Sequence, residues 1–234
     1  MVIGSFGHSL GLSHSPILVV LVEKNQLRIK RLSPPPANLQ KFGFVSRRQC
    51  GFHWREHVKN IVYFDLETQK SADEVGGWGN IARMGMSIGV TFSTRRGDYI
   101  IYGEKQVDDL LKDLQRADLI VGFNILRFDY EVLHGYTTFD LSQLPTLDLM
   151  VDLQNKLQHR LSLDSIATAT FGVEKTAEGM QAIHWFKEGK LAEIAEYCCY
   201  DVKITKLVHE YGQQRRQVHY HNRFGKKMTV PVSW

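Results

Sequence analysis

The chain has no apolar stretch long enough to cross a bilayer as a helix. Its best candidate, Ile17 to Val22, runs six residues, against the roughly 20 that a spanning helix needs. No positively charged segment precedes that run, so neither a secretory leader nor a membrane partner is expected. Cysteine is scarce: Cys50, Cys198 and Cys199 are the only three in 234 residues. The number is odd. The adjacent pair falls on a predicted helix, where neighbouring side chains point about 100° apart, so a disulfide framework is not expected. A reduced, cytoplasmic setting fits this usage. The cysteines lack zinc-site spacing, the ten histidines include no HExxH-type pair, and no internal repeat is visible.

A uniform basic surface is lacking too, although the formal charge is +4. Residues 1–57 hold eight lysines and arginines against two acids; residues 58–234 hold 21 against 23. The basic excess therefore belongs to the first quarter, and global charge does not argue for a nucleic-acid partner. That quarter is rich in Gly, Ser and His and contains Pro34-Pro35-Pro36. A short strand at Ile17–Val22 with a partner near Gln26–Ile29 is its only periodic feature. The expectation is a basic arm over 1–57, disordered or loosely attached, or else a start placed too far upstream.

From Asn60 onward regular elements are legible. Ile61 to Phe64 is an apolar strand running into Asp65. Met84–Thr94 and Tyr99–Tyr102 read as strands joined by the turn Arg96-Gly97-Asp98. Val107, Leu110, Leu111 and Leu114 make a helical stripe. Asp118–Phe123 is a buried strand, Phe128–His134 opens a helix, and Thr146–Leu149 is the last strand. Helices are expected over Leu153–Leu157, Leu163–Thr170 and Leu191–Tyr211. The tail reads as a hairpin of Gln217–Tyr220 and Met228–Val232. Antiparallel strands followed by crossovers through helices predict an α/β fold, with a mixed sheet covered by helices.

Three segments in this frame carry candidate chemistry. Asp65 and Glu67 stand two apart at a strand end, so both face one side and Leu66 the other. Two carboxylates on one face repel unless a cation lies between them, and Mg²⁺-like cations take oxygen ligands. A solvated strand end is the plain alternative. Asn124 to Asp129 follows the next strand, where α/β folds collect functional groups; here Asp129 also suits a helix start and Asn124 a turn. Tyr197 and Asp201 share a helix face, four residues apart. An Asp among apolar neighbours needs a partner, unless that face meets solvent.

Taken together, the order and spacing of these segments resemble the DEDD 3′–5′ exonuclease superfamily over residues 60–212. Asp65-x-Glu67, Asn124-x-x-x-Phe128-Asp129 and Tyr197-x-x-x-Asp201 match its three motifs. The tyrosine four before the last Asp resembles the tyrosine subclass. The histidine subclass would place His where Glu196 stands. Leu161–Gly172 with Gly179–Gly212 further resembles the RNase H-like domain of YprB-type bacterial proteins. The resemblance implies an RNase H-like five-stranded sheet over residues 58–212, with 213–234 as a hairpin extension. It also implies a two-metal site for Mg²⁺ or Mn²⁺. In that site Asp65 would bridge the ions, Glu67 and Asp201 would bind one of them, Asp129 would complete the cluster and Tyr197 would orient the water. Asn124 and Phe128 would shape the site for a single-stranded 3′ end. A helicase or polymerase acting in trans is compatible with it, since none of these residues reads as such a module. The rival readings are a non-catalytic nucleic-acid-binding module and an endonuclease on the same fold.

Several further features are weaker. Gly76-Gly77-Trp78-Gly79 reads as a connecting loop that could offer Trp78 to a terminal base. His184-Trp185-Phe186 reads as core. Arg215, Arg216, Arg223, Lys226 and Lys227, with Tyr220 and Phe224, suit single-stranded nucleic acid and a solvated hairpin tip equally.

Overall fold

A computed structural model describes residues 18–23, 26–31, 59–173 and 179–234. The chain divides into two units, Met1–Val58 and Lys59–Trp234. In the first, strands β1 (Leu18–Glu23) and β2 (Gln26–Arg31) pair antiparallel, with Glu23 opposite Gln26. This is the hairpin suggested by the apolar run. The rest of the expected arm lies outside the described residues.

The second unit is built on a five-stranded sheet of order β5-β4-β3-β6-β7. Its strands are β3 (Ile61–Thr68), β4 (Met86–Ser93), β5 (Asp98–Gly103), β6 (Leu119–Gly122) and β7 (Thr146–Asp148). β3 to β5 form an antiparallel meander, while β6 and β7 run parallel to β3. The expected mixed sheet is therefore present. β3 is its centre, and its two faces have different neighbours. Val62, Phe64 and Leu66 join the core made with α2 (Val107–Gln115) and α3 (Asp129–Leu133). The alternate residues Tyr63 and Asp65 meet α7 (Leu191–Arg215), the long helix that crosses β3, β4 and β6. Period-two alternation thus assigns apolar side chains to one helix layer and the carboxylates to the other.

The predicted stripe of α2 is buried at all four positions. α7 buries Ile194, Ala195, Cys198, Val202, Thr205 and Val208, while Leu207 stays exposed. Two elements differ from expectation. α4 spans Leu149–Leu157, beginning earlier than Leu153 because the Asp148 carboxylate caps it. The segment 76–79, expected to be a plain loop, instead links α1 (Ala72–Val75) to a 3-10 turn over Trp78–Arg83. A capping box between Ser71 and Glu74 starts α1, and Gly76 closes it at φ +88, a left-handed conformation that glycine adopts without strain. Helices α5 (Leu163–Phe171) and α6 (Gly179–Lys187) complete the helical cover. The second of these was not anticipated.

The C-terminal hairpin of β8 (Gln217–His221) and β9 (Lys227–Pro231) forms as expected. Beyond it the chain ends on α7. Trp234 donates its indole N–H to Asp152 at 2.8 Å, and its ring lies 6.2 Å from that of buried His209. Gly212 leaves the room this requires, since a Cβ there would run into the Trp234 ring. His209 also pairs through Nδ1 with the Tyr63 hydroxyl at 2.9 Å, and burial lowers its pKa to about 4.

Candidate active site

The parallel register brings the sequence segments to one level of the sheet. Tyr63 lies beside Val121, and Gly122 beside Asp148. One step further along, Asp65 on β3 therefore comes level with the Phe123-Asn124 corner after β6. α7 supplies the third segment from above. Carboxylate oxygens of Asp65, Glu67 and Asp201 all lie within 4.8 Å of one another. Three of the five predicted catalytic residues thus form one compact group. Tyr197, one helical turn before Asp201, hydrogen-bonds its side chain, and the Tyr197 ring stands edge-on to Trp185 of α6 at 6.3 Å.

Asp129 is placed differently. It is buried at the first position of α3, and its Oδ1 accepts the Leu66 backbone N–H at 2.9 Å. The helix-start reading holds for it. It stands outside the three-carboxylate group, yet its charge raises the pKa values of Asp65 and Glu67. Its bond to the β3 backbone ties α3 to the strand that carries both of those acids.

Asp65 and Glu67 each present some surface to solvent, but the atoms packed around their carboxylates desolvate them. Burial is the largest cause holding Asp65 well above the usual carboxylate range; Asp129, Asp201 and Glu67 add repulsion. Burial acts first on Glu67 as well, followed by Asp201 and Asp129. Asp129 is pushed up to about 8 by burial, against the lowering effect of the Leu66 N–H. No lysine or arginine figures among the described residues that act on these three acids. A cluster of this kind is costly in the absence of a cation.

Its donors are oxygens, which suit hard divalent cations such as Mg²⁺ or Mn²⁺. The nearest sulfur does not change that. Cys198 is buried, its thiol donates to both the backbone oxygen and Oδ2 of Asp65 at 3.4 Å, and burial with the surrounding acids keeps it protonated. It therefore orients Asp65 and is no soft ligand. Nothing in the sequence singles this residue out, and its contact with Asp65 becomes visible only once α7 is laid on β3. Tyr197 likewise stays protonated, because burial and then Asp201, Glu67 and Asp65 raise its phenol. Its hydroxyl is therefore available as a hydrogen-bond donor.

Of the three predicted substrate contacts, Asn124 lies at the corner after β6, and Trp78 and Phe128 lie side by side. Asn124 sits at φ +69, and its carbonyl oxygen accepts from the N–H groups of Arg127 and Phe128. Its side-chain Oδ1 accepts from Arg160 at 3.1 Å. Trp78 is 70% exposed, and its ring centroid lies 6.4 Å from that of Phe128, so the two aromatics adjoin. Of the expected core triplet, His184 is instead exposed and paired with Glu188, while Trp185 and Phe186 are half-buried. The α6 helix turns Trp185 inward to Tyr197 and leaves His184 facing out.

Asp148 is a residue that sequence reasoning missed. Its carboxylate accepts N–H groups from Asn124 and Leu126 on one side, and from Met150 and Val151 at the start of α4 on the other. One buried acid thereby fixes the corner that leads into Asp129. Asp148→Ala leaves four donors without this acceptor and is expected to cost on the order of 3 kcal/mol. Urea unfolding reads this directly, and Asp148→Asn should recover part of the loss through its remaining oxygen.

Fold and acid cluster together define an RNase H-like domain whose carboxylates can hold a metal ion. The sequence model of the RNase_H superfamily matches residues 62–213, and the chain belongs to that superfamily. Among curated proteins no significant match is found. Two similar solved structures are the family B DNA polymerase from the hyperthermophilic archaeon Pyrobaculum calidifontis and RNase D from Trypanosoma brucei. The polymerase is 15% identical with a TM-score of 0.49, the match covering 78% of this chain and 25% of that one. The RNase D is 16% identical with a TM-score of 0.48, covering 66% of this chain and 57% of that one. The chain thus spans about a quarter of the first and a little over half of the second. Among the described residues no helix is long and apolar enough to cross a membrane.

Proposed function

We propose that the protein is a metal-dependent 3′–5′ exonuclease of the DEDD type, tyrosine subclass, with a YprB-type domain, acting on single-stranded nucleic acid. The observation that carries this reading is the convergence of Asp65, Glu67 and Asp201, with Tyr197 bonded to Asp201. Two divalent ions at such carboxylates supply a more acidic water and stabilise charge on the attacking and leaving oxygens. The protein's own part is positional. Asp65, Glu67 and Asp201 provide the ligand oxygens, Cys198 fixes the orientation of Asp65, and Asp129 holds α3 against β3. Protonated Tyr197 donates a hydrogen bond that orients the reacting water or phosphate oxygen. Trp78 and Phe128 offer apolar faces to the terminal base, and Asn124 marks the rim where the strand enters.

The test is a 5′-labelled single-stranded 20-mer with Mn²⁺, beside a circular single strand. A ladder shortening from the 3′ end, mononucleotide release and an intact circle are expected. A nicked circle would replace this reading with an endonuclease. Binding without cleavage in either metal would make the chain a non-catalytic binding module.

A further inference from the structure

The 24 residues from Tyr211 to Trp234 contain five lysines and arginines and no aspartate or glutamate. Three of the five, Arg223, Lys226 and Lys227, lie exposed around the turn between β8 and β9. Phe224 at the turn is 77% exposed, with the Arg223 guanidinium 4.8 Å from its ring centroid. The turn is well ordered by its own bonds. Asn222 Oδ1 accepts from the N–H groups of Phe224 and Lys226, both at 3.0 Å, and Gly225 takes φ +73. A ring and three cations are thus held out on a preorganised turn, and among the described residues the ring is left largely to solvent.

The hairpin is also aimed. β8 runs head to tail along α5: His219 exchanges backbone hydrogen bonds with Thr170 Oγ1, and His221 with Ser165 Oγ. The turn therefore lies beyond the N-terminal end of α5. One run of contacts ties that end to the corner after β6: the His159 ring lies 6.1 Å from Tyr220 of β8, while the adjacent Arg160 reaches Asn124 at the end of β6. Arg160, Arg223, Lys226 and Lys227 thus mark a cationic line from that corner to an exposed aromatic. Single-stranded nucleic acid is bound by this combination of backbone-tracking cations and stacking rings.

We propose that the β8–β9 turn binds the single strand upstream of the nucleotide held at the acid cluster, with Phe224 stacking on a base and Arg223, Lys226 and Lys227 contacting phosphates. This rests on the exonuclease reading and adds to it that substrates long enough to reach the turn are held preferentially. The test is fluorescence anisotropy of the full chain in EDTA, so that no outcome depends on cleavage. The probes are a labelled single-stranded 20-mer and a 4-mer. The wild type should bind the 20-mer at least about tenfold tighter than the 4-mer. Phe224→Ala should weaken the 20-mer about fivefold or more, the effect of one lost stack. The triple variant R223S/K226S/K227S should bring 20-mer affinity towards that of the 4-mer. It should also reduce the slope of log affinity against log salt by about 2, from three lost phosphate contacts at roughly 0.7 each. All four side chains are exposed, and an unchanged thermal midpoint confirms folding. Wild-type 20-mer affinity in both variants overturns the proposal, as does binding to phosphatidylserine vesicles with none to the 20-mer. Failure of the exonuclease reading shows separately, as intact oligonucleotide in Mn²⁺.

Discussion

Asp65→Asn is expected to remove cleavage, by on the order of a thousandfold or more, while making the metal-free protein more stable. The two effects have one cause. Asp65 is the member of the cluster on which burial, three neighbouring carboxylates and the Cys198 thiol all act. Asparagine has the same shape and can still accept the Cys198 hydrogen bond through its oxygen. It cannot carry the negative charge that a bound cation requires, so the charge stabilisation of the reaction is lost. In the absence of metal that charge is only a burden, since it is desolvated and repelled. Its removal should gain at least about 1 kcal/mol near pH 8, the worth of a single pKa unit. Urea unfolding in EDTA and the oligonucleotide assay give the two readouts. A residue needed only for folding would lose on both, whereas opposite signs identify a site that sacrifices stability for function.

The second large effect is the response of stability to pH and metal. An unfolded carboxylate titrates near 4, whereas in the folded chain Asp129 titrates at about 8, with Asp65 and Glu67 shifted in the same direction. Below the unfolded value these groups are protonated in both states, and the fold carries no charge penalty. As pH rises towards the folded values, the unfolded chain releases protons that the folded chain retains, and stability falls. His209 works the other way. Its folded pKa is lowered to about 4, so its contribution is lost as pH falls below the ordinary histidine range. Above about pH 7 histidine is neutral in both states, and the carboxylates dominate. Between about pH 7 and 8 the metal-free protein should lose on the order of 1 kcal/mol per pH unit for each carboxylate that the folded chain still holds protonated, and the contribution of Asp129 levels off above about pH 8. Saturating Mn²⁺ should restore it, with about 2.7 kcal/mol at a hundred times its dissociation constant, and more as pH rises. Urea unfolding across this range, with EDTA or Mn²⁺, gives the slope and its sign. A flat or rising metal-free curve would show that the acids are neither desolvated nor crowded.

Much of this site is legible from alternation and helical spacing. Asp65 and Glu67 share a face because strand side chains alternate, and Tyr197 and Asp201 because a helix turns in 3.6 residues. Those local rules also identify β3, the stripe of α2 and the buried positions of α7. What local rules miss depends on register between distant elements. Asp148 reads as a strand end, and its worth comes from N–H groups 24 residues earlier in the chain. Nothing local marks Cys198, whose thiol meets Asp65 across 133 positions of sequence. The glycines around Trp78 suggest a loop; a capping box before them and the packing of Trp78 on Phe128 give that segment its shape instead. Asp129 illustrates both sides: its place at a helix start is legible locally, whereas its hydrogen bond to the Leu66 N–H of β3 is not.

The most direct test of the central claim is an anomalous difference map from crystals of the full chain soaked in Mn²⁺ with a nucleoside monophosphate. The account predicts manganese density against the carboxylates of Asp65, Glu67 and Asp201, with the phosphate beside it and the Tyr197 hydroxyl in hydrogen-bonding reach. Manganese bound elsewhere, with these three carboxylates free of metal, would contradict it.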